Sequence, residues 1–194
     1  MPRQTREATR RAILVAAYEL FYRKGYARAG VDEVAALAKV TKRTLYYHFR
    51  SKDDLLADVL NWQAQLAIVH IRKYENNYSA GDVRKFVTTL FSEFKEWSAK
   101  PGWSGSGMTR LAMELADLPG HPARQGARQH KEDVQTWIAG MLANVGVRSV
   151  RERAKEIQLL LEGANAMTLI TGDRGYSDVS ARAAQRLLRN RETR

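Results

Sequence analysis

Apolar residues recur along this chain at intervals of three and four, and short polar or glycine-bearing breaks separate the runs. The first run predicts a helix starting after Thr5, with Ile13, Ala16, Ala17, Leu20 and Phe21 on one face and Gly25 as its stop after Lys24. A short second helix over residues 31–38 would bury Val31, Val34, Ala35 and Ala38. A third, over residues 42–49, has Thr41 as N-cap and carries Leu45 and Phe49 on one buried side, four positions apart. Ser51 caps a long fourth helix, with Asp53 and Asp54 in its first turn and Leu55, Leu56, Val59 and Leu60 facing inward.

Five further helical patterns cover residues 81–99, 106–117, 122–144, 149–171 and 177–191. The breaks fall at 76–80, 100–105, 118–121, 145–148 and 172–176. All four prolines lie at an end or in a short break, and neither an Asn-Gly nor an Asp-Gly pair signals a hairpin. About nine helices with short connections leave almost no room for a sheet, so the expected class is all-α. No internal repeat or low-complexity tract interrupts the pattern.

Composition then narrows the partners. The chain has 194 residues, a formal net charge of +11 and a pI near 10.1. Residues 1–52 hold 12 Lys/Arg and four Asp/Glu, so +8 of the +11 sits in the first quarter. Charge placed so unevenly favours a polyanion, nucleic acid ahead of an anionic membrane, bound by an N-terminal segment with a separate body behind it. The competing reading is a solvated, highly charged surface helix. No run approaches the roughly 18 apolar residues of a membrane span, and the basic start is not followed by a secretory hydrophobic stretch, so a cytoplasmic location is expected.

Catalytic chemistry has little to work with. The absence of cysteine removes thiolate nucleophiles, thiolate zinc sites and disulfides together. His48, His70, His121 and His130 form no close ligand pair, and neither a phosphate-cradling glycine loop nor a nucleophile elbow is present. No enzyme activity, metal or cofactor is expected.

The informative segment is VDEVAALAKVTKRTLYYHFRSKDDLL, residues 31–56. Two short helices joined by a turn of a few residues, behind a longer supporting helix, describe a helix-turn-helix. With Leu45 and Phe49 inward, Lys42, Arg43, Tyr46 and Tyr47 are directed to the opposite face or its flank, where Arg43 can read a guanine edge and Tyr46 a thymine methyl or a phosphate. His48 and Lys52, just past the helix, suit phosphate contacts, which orient without reading sequence. Tyr47 is equally placed to be core, and Arg3, Arg6, Arg10 and Arg11 form either a minor-groove arm or a solvated end.

The run TLYYHFRSKDDLL, with the helix ending at Gly25 and the VDEVAALAKVTK segment, resembles the DNA-binding domain of the TetR family of bacterial repressors over residues 8–58. The resemblance implies DNA-facing roles for Lys42, Arg43, Thr44, Tyr46, Tyr47, His48 and Lys52. It also implies an all-helical homodimer whose C-terminal domain binds a small molecule that lowers affinity for a palindromic DNA operator. Two features depart from the family pattern. Ala29-Gly30 stands where a capping Thr or Ser is usual, leaving any phosphate contact there to backbone N–H groups. Lys39 occupies a turn position often held by Gly, which calls for a left-handed residue at about 1 kcal/mol.

The expected organisation is a DNA-binding domain over residues 1–55 and a ligand-binding and dimerisation domain over 56–194. The body's large apolar residues are core or pocket lining by spacing alone. By resemblance, an apolar or aromatic effector lies among Trp62, Phe86, Leu90, Phe94, Trp103, Leu111, Trp137 and Met167, with PGWSGSG at 101–107 as a gate. Gly163, Ala164 and Ala166 beside Leu160, Met167 and Ile170 allow close helix approach, within one chain or, as the resemblance implies, across a dimer. A sequence-tolerant architectural DNA-binding protein is the alternative, but it has no need of an aromatic-rich body.

Overall fold

A computed structural model describes residues 3–72, 74 and 77–189, with side chains from Arg6 onward. The Arg3 side chain, Asn76 and the expected helix end at Arg191 fall outside the described residues. Among these residues the chain forms nine helices and no strand: α1 (Arg3–Lys24), α2 (Val31–Leu37), α3 (Lys42–His48), α4 (Lys52–Arg72), α5 (Val83–Ser98), α6 (Gly107–Met113), α7 (Pro122–Asn144), α8 (Val150–Thr171) and α9 (Gly175–Arg189).

The helix ends follow local chemistry. Gly25, at φ 85°, closes α1 by donating its N–H to the Phe21 carbonyl at 2.9 Å. Lys39 closes α2 at φ 55°, the left-handed conformation its position in the turn calls for, and the Val40 N–H reaches back to Ala35 at 3.0 Å. Thr41 caps α3 by accepting from the Thr44 N–H at 3.0 Å, and Ser51 caps α4 by accepting from Asp54 at 3.0 Å. Several ends differ from the sequence pattern by a few residues, α1 starting at Arg3 and α5 at Val83, and two of the differences have a local cause. Beyond Met113 the chain continues in single turns closed by i to i+3 hydrogen bonds, which still carry Leu115 into the core. The last helix starts at Gly175, because the Asp173 carboxylate accepts the Gly175 N–H at 2.7 Å; Ser177 lies inside it, donating to the Phe91 carbonyl at 2.6 Å.

The chain divides into two compact units, each interrupted in sequence. The first joins the residues through Ala67 to Gly107–His130. Its core is one apolar cluster in which Ile13, Ala17 and Phe21 of α1, Val34 of α2, Leu45 and Phe49, and Leu55, Leu56, Val59 and Leu60 of α4 meet Met108, Leu111, Leu115, Ala123 and Ala127. Residues 107–130, expected from sequence to belong to the C-terminal domain, are thus part of the unit that carries the helix-turn-helix. The start of α6 fits closely: a Cβ at Gly107 would lie 3.0 Å from the Tyr22 ring and 3.3 Å from the Tyr18 hydroxyl.

The second unit comprises Ile68–Ser106 and the residues from Lys131 onward. Its core gathers Phe86, Val87 and Phe91 of α5, Ile138, Met141 and Leu142 of α7, Ala154 and Ile157 of α8, and Ala184 and Leu188 of α9. Among the described residues no helix is long and apolar enough to cross a membrane.

Candidate functional site

The third helix presents two chemically different sides. Leu45 and Phe49 are fully enclosed in the first unit's core, while Lys42, Arg43, Tyr46 and Tyr47 are exposed. At 67% exposed, Tyr47 belongs to the outer face rather than to the core. Arg43 makes no ion pair or side-chain hydrogen bond among the described residues and extends into solvent.

The other expected contacts are partly committed within the chain. Lys42 reaches Asp32 at 3.0 Å, an exposed pair whose hydrogen bond holds the ammonium pKa above its usual value. Thr44 is half-buried and its hydroxyl lies 2.8 Å from that of Thr41, so it serves the cap. Lys52 donates to the Tyr26 carbonyl at 2.6 Å and its ammonium stands 4.3 Å from the Tyr26 ring centroid. Burial there lowers the lysine pKa, with Asp53 and Glu114 opposing. The same patch includes a Tyr26–Asp53 hydrogen bond, which lowers the carboxyl pKa, while burial raises that of the phenol.

The start of α2 is not free for phosphate. Its Gly30 N–H is taken at 3.2 Å by the Glu33 carboxylate, which Lys24 also pairs at 2.5 Å. The acidic first turn of Asp32 and Glu33 repels an anion as well.

The second unit contains an apolar pocket of about 70 Å³, walled by Ile71, Tyr74, Tyr78, Phe86, Leu90 and Trp137, and a groove of about 580 Å³ along α7. Trp137 lines both. The residues expected to line one effector site do not all meet here. Phe86, Leu90 and Trp137 share the pocket wall. Phe94 and Trp103 belong instead to an edge-packed aromatic trio with Trp97, at centroid distances of 5.7–6.5 Å. Leu111 is enclosed in the first unit's core, Trp62 packs on that core beside Tyr18, and Met167 is exposed on α8. The segment 101–107 is held by Trp103 in the aromatic trio and by the Ser106 N–H, which donates to the Asn165 amide oxygen at 3.1 Å.

On α8, Leu159, Gly163, Ala166, Met167 and Ile170 fall on one exposed stripe, with Leu159 at 72% and Ile170 at 77% accessible. Ala164 faces the other way, fully buried within the unit.

The family model described as bacterial regulatory proteins, tetR family, matches residues 13–59, from the first buried residue of α1 to the inward face of α4. A TetR-family transcriptional regulator of Streptomyces coelicolor superposes with a TM-score of 0.82 at 25% identity, over 94% of this chain and 95% of that one. Residues 13–59 are a TetR-family segment. Among curated relatives, the transcriptional activator FasR of Mycolicibacterium smegmatis is 39% identical over 71 residues, 37% of this chain and 32% of that protein. The transcriptional regulator TtgR of Pseudomonas putida is 39% identical over 99 residues, 48% of this chain and 47% of that one. The chain spans about a third to a half of the length of these relatives.

Beside this TetR-family segment, the exposed face of α3 is extended by a residue that the motif alone does not single out. The Arg6 guanidinium, in the second turn of α1, lies 5.1 Å from the Tyr47 ring centroid, and Arg10 lies 5.1 Å from that of Phe49 while pairing with Asp58 at 2.7 Å. The basic N-terminal turns were visible in the sequence. Their arrival beside α3 depends on how α1 packs, and spacing does not report that. Burial first, and then Arg6 and Arg10, depress the His48 pKa, so its imidazole is neutral at pH 7.

Proposed function

We propose that this chain is a homodimeric transcriptional repressor that binds a palindromic DNA operator and is released from it by a small apolar or aromatic effector. The observation that carries the reading is the two-sidedness of α3. Core anchors on one side fix its rotation, and an uncommitted Arg43 with exposed Tyr46 and Tyr47 stands on the other. Lys42, Thr44, His48 and Lys52 complete the DNA-facing set. Lys42 and Lys52 exchange their internal partners for phosphates, and Arg6 adds a cation at the edge.

The exposed α8 stripe supplies the homodimer contact, an isologous surface in which Gly163 and Ala166 let two backbones approach. The pocket and groove at Trp137 supply the effector site. Helices α4 and α7 each place one end in the first unit's core and the other along a cavity wall, so a ligand that prefers one arrangement of these helices biases the DNA-binding head.

The test is selection from a random-duplex pool followed by footprinting. The expected product is an inverted repeat whose half-site centres lie one helical turn apart, about 34–36 Å, or a multiple of that. Equal affinity for selected and random duplex at the same salt overturns the reading in favour of an architectural protein. A reporter placed behind the selected site gives the sign of control.

Proton linkage gives an independent check on His48. Its pKa is depressed in the free protein, and an approaching phosphate raises it, so the complex takes up a proton. Affinity is therefore expected to rise as pH falls through and below about 6.5. His48→Gln should flatten that slope while leaving affinity at pH 8 within about threefold, the scale of one neutral hydrogen bond. An unchanged slope in the variant removes His48 from the phosphate-contacting set.

A further inference from the structure

We infer that the effector is an aromatic compound bearing a carbonyl-type acceptor, and that the Trp137 indole N–H is the group that selects it. The inference rests on the effector-site reading above and adds the chemistry of the ligand.

Three observations converge on Trp137. Its Nε1 is buried and has no hydrogen-bond partner among the described residues. An indole N–H sealed from water normally finds an acceptor, and leaving it unpaired destabilises the fold. The same side chain walls both the small apolar pocket and the larger groove. It also packs edge-on to Phe86, centroids 5.9 Å apart, which in turn meets Tyr78 at 5.4 Å, so the surroundings suit aromatic and short alkyl groups.

The sizes set how a ligand lies. A cavity of 150 Å³ takes benzene, so the pocket's 70 Å³ takes an end group of about two to four heavy atoms. The groove, at about 580 Å³, is within the usual range for a drug-sized molecule and takes the ring. A molecule spanning the two passes Trp137, and an acceptor at that level satisfies the indole after a small rotation of the side chain. Glu93, which makes no ion pair among the described residues, stands in the pocket wall and disfavours an anionic end group there.

Propiophenone and n-propylbenzene separate these terms, being the same shape with a carbonyl in place of one methylene. Calorimetric titration of the full-length protein is expected to show both binding, the ketone more tightly. Trp137→Phe retains the apolar wall and removes the donor. The ketone-to-hydrocarbon preference should fall by about tenfold between wild type and variant, a ratio in which any general loss of packing cancels. A second readout needs no variant. The chain's four tryptophans give separate indole N–H resonances, and one should move downfield with propiophenone and not with propylbenzene. Binding of both compounds with an unchanged preference in Trp137→Phe, or with no selective indole shift, overturns the acceptor assignment while the cavity remains an effector site. Binding of neither overturns both the acceptor assignment and the cavity as effector site, and leaves the DNA-binding reading to be judged by footprinting.

Discussion

Replacing Arg43 and Tyr46 together by Ala is expected to lower affinity for the selected duplex by at least 30-fold while leaving the fold intact. A bidentate Arg–guanine contact contributes about 1–3 kcal/mol of discrimination. A dimer makes each contact twice, so about 2–6 kcal/mol is at stake. Neither side chain contributes to the core, which Leu45 and Phe49 anchor from the opposite side of the helix, so circular dichroism and the melting temperature should barely move. Anisotropy titrations on selected and random duplexes over a range of salt concentrations decide what kind of contact is lost. If Arg43 reads a base, the loss falls on the selected duplex and the salt slope changes little. If it only neutralises phosphate, both affinities fall alike and the slope drops by about 0.9 per contact. Retention of full specificity in the double variant would remove this face from the reading head altogether.

The second large effect concerns assembly. Gly163→Leu should leave the single chain as stable as before, or more so, and yet separate the proposed dimer. A Cβ at Gly163 meets nothing within 4 Å of its own chain, and Leu is a better helix former than Gly by about 0.5–1 kcal/mol. Across an isologous contact, however, each added side chain faces the same helix of the other copy and holds the two backbones apart. Ile170→Asp acts on the same stripe by a different route. It deletes an exposed apolar anchor whose burial contributes about 1.5–3 kcal/mol per copy and places a carboxylate in its position. Sedimentation velocity should report monomers for both variants, and affinity for a palindromic site should fall with them, because two half-sites are no longer engaged together. A Gly163→Leu protein that remains a dimer excludes this stripe as the contact.

Much of the helix-turn-helix is legible before any coordinates. Thr41 and Ser51 are capping residues in capping positions, Leu45 and Phe49 are four apart, and Gly25 and Lys39 fall where a left-handed residue closes a helix. These are local effects, set within a few residues, and local sequence is enough to read them. The start of α2 shows the limit. Ala29-Gly30 suggested free backbone donors, but Glu33, three residues on, folds its carboxylate back onto the Gly30 N–H.

The proposed effector site is less legible for a different reason. Helical spacing identifies that a face is covered, not what covers it. Leu111 and Phe86 have the same signature in sequence, a large apolar residue on an amphipathic helix. One closes the core around α1 and α4, and the other lines a cavity with Trp137. Trp62 packs on the first unit's core, Phe94 and Trp103 join Trp97, and Met167 lies exposed on α8.

From its sequence alone this chain reads as all-helical, with the rotation of α3, the cationic outer face and the family all legible, because each follows from periodicity, caps and a compact motif. Only tertiary packing decides that residues 107–130 complete the core of the N-terminal unit, that Arg6 stands over Tyr47, and that Trp137 keeps an unpaired donor between two cavities. Each of these joins residues tens of positions apart. Apolar surfaces attract without direction, so the pattern that declares a face hydrophobic cannot name its neighbour.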